Sequence, residues 1–106
     1  MGTMHHHAVI VTSWNEDMIA KAHAVAAGLS PHVTPIITAT SNGQQSFAIL
    51  PDGSKAGWAE SDVGDAARGA FLTWVDSRAY EDGSNALSYA EVSFGELAPT
   101  IKTNTT

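Results

Sequence analysis

Three histidines, His5, His7 and His32, and the carboxylates Asp52, Glu60, Asp62 and Asp65 are the residues whose types could do chemistry here. Imidazoles and carboxylates bind zinc, and carboxylate oxygens bind magnesium or calcium. His5 and His7 share a face if the first strand extends back to them, because side chains alternate along a strand. With His32 and either Asp52 or Glu60 they would make a zinc set. The spacing does not support one. There is no His-x-x-x-His, and the acids do not follow the calcium-loop pattern Asp-x-[Asp/Asn]-x-[Asp/Asn]-Gly-x5-Glu. The plainer reading gives each acid a local role, in which Asp52 makes a turn, Asp62 caps a helix and Asp65 serves its dipole. His5 to His7 then form a tag-like tail, and His32 is a loop residue. Gly53-Ser54-Lys55 has the ending of a phosphate-binding loop, but the upstream glycine is missing, since position 48 is Ala48. Ser13, Ser54 and Ser61 lack the Gly-x-Ser-x-Gly context of a nucleophile elbow. No catalytic residue is assigned, and the reading leans away from an enzyme. No cofactor is expected, a divalent metal on these residues being the alternative.

Composition narrows the classes further. The chain has 106 residues, the length of a single domain. It has no cysteine, which excludes disulfides and thiolate chemistry and fits a reducing compartment. Five basic residues stand against eleven acidic ones, for a net charge of −6. Lys21, Lys55, Arg68, Arg78 and Lys102 are scattered along the chain. Nucleic acid is a polyanion that attracts clustered bases, so direct binding to it is not expected. An acidic surface suits solubility, basic partners or divalent cations. The apolar runs, Ala8 to Val11 among them, reach only four residues, far below the roughly 18 that span a bilayer. No signal-peptide pattern opens the chain. The expectation is a cytoplasmic protein without membrane attachment. Residues 1–4 read as a cloning remnant.

The elements that must position these side chains can be read in order. Ala8 to Ser13 is a β-branched run, a buried central strand. Ser13-Trp14-Asn15-Glu16 matches the Ser-x-x-Glu capping box. Met18, Ala22, Val25, Ala26 and Leu29 continue at helical spacing, and Gly28 with Ser30-Pro31 ends the helix. Val33 to Thr40 is a second strand, placed at an edge by Pro35. Asn42-Gly43 is a hairpin turn returning the chain through Ser46 to Leu50. A second helix starts near Ser61 or Asp62, with Val63, Ala67, Ala70, Phe71, Trp74 and Val75 on its buried face. Gly69 in that helix is expected to permit close packing on the sheet. Leu87 to Phe94 is the last strand, with Tyr89, Glu91 and Ser93 on its outer face. Residues 99–106 form a frayed tail.

The order strand, helix, strand, strand, helix, strand is that of an α+β two-layer sandwich. It is the ferredoxin-like split βαβ plan with a four-stranded antiparallel sheet. Right-handed crossovers sort the loops to two ends. One end collects Ser13 to Asn15, Asn42-Gly43 and Tyr80 to Asn85. The other collects His5 to His7, Ser30 to His32 and Asp52 to Asp62. The helices leave one side of the sheet open, which invites dimerisation or a ligand.

Three phrases, His6 to Asn15, Pro51 to Asp62 and Tyr80 to Ser84, resemble small uncharacterised proteins carried by bacteriophages and prophages. The resemblance implies a phage or prophage origin and no established activity. The leading expectation is therefore a phage-associated, non-enzymatic accessory protein. It would bind a host or phage protein, or itself as a homodimer. Trp14, Trp58, Tyr89 and Glu91 are its candidate contact residues. For Trp14 and Trp58 themselves the favoured reading is packing back on the helices they precede, because aromatics mostly supply buried area. The alternative, from another class, is a small metal-binding protein or metal-dependent enzyme using His5, His7, His32 and the Asp52 to Asp65 loop.

Overall fold

β1, Thr3–Ser13, is the axis of the molecule. The computed structural model describes residues 3–104. After β1 come α1 (Glu16–Leu29), β2 (Ile37–Thr38), β3 (Gln45–Ile49), β4 (Lys55–Ala56), α2 (Ala59–Asp76), β5 (Ser88–Gly95) and β6 (Thr100–Thr103). The fold is α+β, with two helices and an antiparallel sheet in the order β2-β3-β1-β5-β6, while β4 pairs the start of β1. Four strands were expected; six are present among the described residues. The two additions are β4, within the Asp52 to Asp62 loop, and β6, within the tail expected to fray.

One edge of β1 pairs β5 continuously, from His5↔Gly95 to Thr12↔Ser88. The other edge is shared. β4 takes Thr3 and Met4, and β3 takes Val9 to Ser13. Between them the Pro51-Asp52-Gly53-Ser54 turn leaves the ladder beside His5 to His7. The histidines expected as a tag-like tail are thus strand residues.

Alternation sorts β1 into two faces. Val9, Val11 and Ser13 are buried, and both helices pack over that side. Ile19, Ala22 and Ala26 of α1 join Phe71, Leu72 and Val75 of α2 in one core with Val9, Val11, Phe47, Ile49, Leu87 and Tyr89. Complete burial of Phe71 stabilises the fold by roughly 1.5–3 kcal/mol.

Local chemistry explains where the elements differ from expectation. α1 is capped by Asn15, whose Oδ1 accepts from the Met18 N–H at 3.0 Å. Ser13 is not the cap. Its hydroxyl donates to the Ala86 carbonyl at 2.7 Å and accepts from the Asn15 N–H at 3.0 Å, so it ties the end of β1 to the entry of β5. α2 begins at Ala59 with Trp58 in the cap position and no side-chain cap. Glu60 and Asp62 lie in its first turn, where they favour the dipole. The strand expected over Val33 to Thr40 shrinks to Ile37–Thr38 and a single bridge, Val33↔Ile49. Pro35 cannot donate to a ladder, and the Thr34 hydroxyl accepts from the Ala48 N–H at 2.9 Å instead. Asn42 and Gly43 both have positive φ, 61° and 64°, as the two-residue hairpin demands.

Candidate functional site

The predicted sorting of loops to two ends holds for the acidic loop. His5, His6 and His7 line a small polar depression with Pro51, Asp52, Ser54, Ser61 and Arg68. The His5 and His7 rings meet edge to face, 5.2 Å apart. His5 Nδ1 is buried without a hydrogen-bond partner. Asp52 makes the turn assigned to it, its Oδ1 accepting from the Ser54 N–H at 2.8 Å and the Ser54 hydroxyl at 2.6 Å. The Ser54 hydroxyl bond, above all, holds this carboxyl below its ordinary range. His32 opens onto a neighbouring apolar cleft of about 420 Å3 between the end of α1 and the start of α2, with Leu29, Val63 and Ala67. The four candidate metal ligands are therefore divided between two hollows, meeting only through Asp52, which is engaged by Ser54. Among the described residues, no group of three or more His, Asp or Glu is placed to hold a metal ion. These donors do not fit a zinc set.

The four candidate contact residues do not form one surface. Trp14 follows the last residue of β1, whereas Trp58 follows β4, which pairs the first residues of β1. Eleven strand residues lie between, a span of about 36 Å. Both indoles are exposed, Trp14 at 63% and Trp58 at 45%, and neither joins the core cluster. Tyr89 is a correction. The outer face of the last strand was expected for it, yet it is buried with the core. The register decides this. Tyr89 pairs Val11 and Glu91 pairs Val9, so they point towards the helices as Val9 and Val11 do.

That inversion builds a feature not read from the sequence, a cleft of about 550 Å3 between α2 and the β5–β6 hairpin. Its floor carries Glu91, Ser93, Thr100 and Lys102; its wall carries Asp65, Arg68, Leu72 and Asp76. Arg68 is buried and forms an ion pair with Asp65, with Glu91 Oε2 3.9 Å from its Nε. A buried cation is costly unless paired, and two carboxylates meet that need. Beside it, burial first and the Arg68 charge second hold the His7 imidazole below its usual value. Burial pushes the Tyr89 phenol up, with help from Asp76, which accepts from its hydroxyl at 3.4 Å. The cleft could orient a polar ligand. Its strongest donor is already engaged, and among the described residues no hydroxyl is hydrogen-bonded to His7 as a nucleophile to a base. α2 position 68 lies one turn before Leu72 on the buried helix face; that helical spacing was the available signal for Arg68.

The opposite side of the sheet is the second feature. Outward positions run across it in register: Ile37 and Ser46, then Ser46 and Thr12, whose hydroxyls are hydrogen-bonded at 2.8 Å. Ala48 faces Ile10, Ile10 faces Ala90, Ala8 faces Val92, and Val92 faces Ile101. His6 lies against Phe94, ring centroids 5.2 Å apart. Among the described strand residues that point outward on β1, β2, β3, β5 and β6, none is Asp, Glu, Lys or Arg; Lys55 of β4, opposite Met4, stands at the rim of this face. Four are large and exposed: Ile10 at 48%, Ile37 at 65%, Phe94 at 47% and Ile101 at 75%.

Comparison with family models, curated proteins and solved structures finds no match. Residue roles therefore rest on this geometry. Among the described residues no helix is long and apolar enough to cross a membrane.

Proposed function

We propose that this chain is a non-enzymatic accessory protein that binds a protein partner through the uncovered face of its sheet. One observation carries the reading: that face bears exposed Ile10, Ile37, Phe94 and Ile101, and along β1, β2, β3, β5 and β6 no outward Asp, Glu, Lys or Arg, with Lys55 of β4 at its rim opposite Met4. Surface positions are where Lys, Glu, Arg and Asp normally gather. A contiguous apolar face on a small domain marks an interaction site. The order β2-β3-β1-β5 supports the ferredoxin-like split βαβ plan as the core of the fold, with β4 and β6 added. In that plan one side of the sheet stays free for a partner. The phage-associated setting rests on the three phrase resemblances alone.

The contact set changes with this reading. Ile10, Phe94 and Ile101 replace Tyr89 and Glu91, which face the helices. The test compares wild type with the double variant Ile10→Glu/Ile101→Glu, each immobilised and exposed to bacterial lysate and to its own soluble form. Whatever the wild type captures, its own copy or another protein, should be lost from the variant while the far-UV spectrum is kept. Capture that survives both substitutions removes the proposal.

A further inference from the structure

We infer that the occupant of the bare face is a second copy of this chain, the two sheets packing face to face about a two-fold axis. The inference rests on the proposed protein-binding role of that face and names its partner.

Charge makes the first argument. The chain carries a net charge of −6, so two copies repel at most relative orientations. The bare face is the approach whose outward residues on β1, β2, β3, β5 and β6 include no Asp, Glu, Lys or Arg, with Lys55 and Glu96 at its rim beside Met4. Burying unpaired charge is what makes an interface fail. A basic partner, the natural match for an acidic protein, would find no counter-charge at those outward positions. A chemically identical face is the better complement, apolar against apolar.

Area makes the second argument. β1, β2, β3, β5 and β6 together contribute thirty residues, which at about 3.3 Å rise and about 4.8 Å strand spacing give a plane of roughly 500 Å2. Two such faces together reach the roughly 1,000 Å2 that separates specific interfaces from incidental contacts. Symmetry then helps. In a two-fold contact each residue is used twice, and Ile10 on the middle strand falls near the centre, where desolvated anchors carry most of the binding energy. Small residues surround it. Ala8, Ala48 and Ala90 leave room for the opposing copy's side chains to interdigitate, as sheets packed about 10 Å apart require.

The experiment measures the mass of the purified protein by sedimentation equilibrium at about 100 µM, above the micromolar end of the affinities of standard-size interfaces. The wild type should be a dimer of the 11.1 kDa chain. Ile10→Glu should raise its dissociation constant at least tenfold, since it buries an unpaired charge at the centre. Ile101→Glu, at the most exposed position of the face, is the second variant should the first lose its cooperative unfolding. Val63→Glu, on the exposed apolar cleft across the molecule, should leave the mass unchanged. A monomeric wild type overturns the inference; if a protein from lysate is then captured in a face-dependent way, the reading beneath it stands. A dimer that persists in both face variants, or that dissolves in Val63→Glu, overturns the inference and places the contact elsewhere.

Discussion

At the scale of single residues, two glycines have opposite reasons to be glycine. Gly95 closes β5 at φ 135°, where a Cβ would stand 2.5 Å from the Met4 carbonyl oxygen. Side chains rarely adopt that conformation, and backbone strain of this kind costs about 1–3 kcal/mol. Gly95→Ala should lower the urea midpoint accordingly. Gly69 was expected to allow close packing on the sheet, yet a Cβ there would meet nothing within 4 Å. It lines the cleft, so only its helix propensity counts. Gly69→Ala should stabilise by about 1 kcal/mol, a rise in melting temperature of roughly 4–8 °C for a domain this small. The close passage belongs to Gly64, whose Cβ would lie 3.0 Å from Asp52 Oδ2 and 3.2 Å from Arg68 Nη1. His7 carries a pH prediction. Burial and Arg68 lower its folded pKa, while Asp65 and Glu91 oppose them and His5 adds to the lowering. The unfolded chain then takes up a proton at higher pH than the folded one. Its contribution is complete above the ordinary value of 6.5 and is lost as the pH falls through it to the lowered value. Between about pH 8 and about pH 5, wild type should lose more stability than His7→Gln, measured by urea titration.

At the scale of elements, one of the two strands not expected, β6, makes the sharpest test. β6 is held by Asn104, whose Oδ1 accepts from the Tyr89 N–H at 2.9 Å and whose Nδ2 donates to the Leu87 carbonyl at 2.8 Å. Asn104→Ala leaves both backbone groups without those partners, a cost of about 1–3 kcal/mol. Amide exchange should quicken at Tyr89 and across β6, but not in the β1–β3 ladder. Loss of protection spread evenly over the sheet would show that Asn104 does not anchor this edge. The sequence hid β6 because Thr-Ile-Lys-Thr sits in a polar tail, although its β-branched residues are strand formers. The Asn42-Gly43 hairpin, the first helix and the central strand were legible, since turn chemistry and helical spacing are local. The faces of β5 were not. Its alternation is plain in the sequence, but Ala90, Val92 and Phe94 are more apolar than Tyr89, Glu91 and Ser93, and hydropathy alone turns them inward. Cross-strand register with Val9 and Val11, a non-local property, turns the polar set inward instead and creates the cleft around Arg68. The candidate metal set failed for a related reason: residue types were visible, but the turn that engages Asp52 with Ser54 decides where its carboxylate goes.

At the scale of the whole molecule, two helices over one sheet leave a side to be explained, and the order of elements alone was enough to expect it. What the order could not supply was its content, a largely apolar plane with Lys55 only at its rim, on a chain of net charge −6. That combination predicts an unusual salt response. Complexes steered by opposite charges weaken as salt screens them. Here the charges lie away from the contact and repel, while the contact itself is apolar. At low ionic strength the Debye length is about 30 Å, longer than the 24–27 Å shorter dimensions of the protein, and the net repulsion acts across the whole pair. Near 1 M salt that length falls to about 3 Å and the repulsion vanishes. Self-association should therefore tighten as sodium chloride rises. A sulfate salt at matched ionic strength should tighten it further, because excluded ions strengthen apolar burial. Sedimentation equilibrium across a salt series reads the effect directly. A dissociation constant that climbs with salt would mean that ion pairs hold the two copies together, and the apolar face would no longer be where they meet.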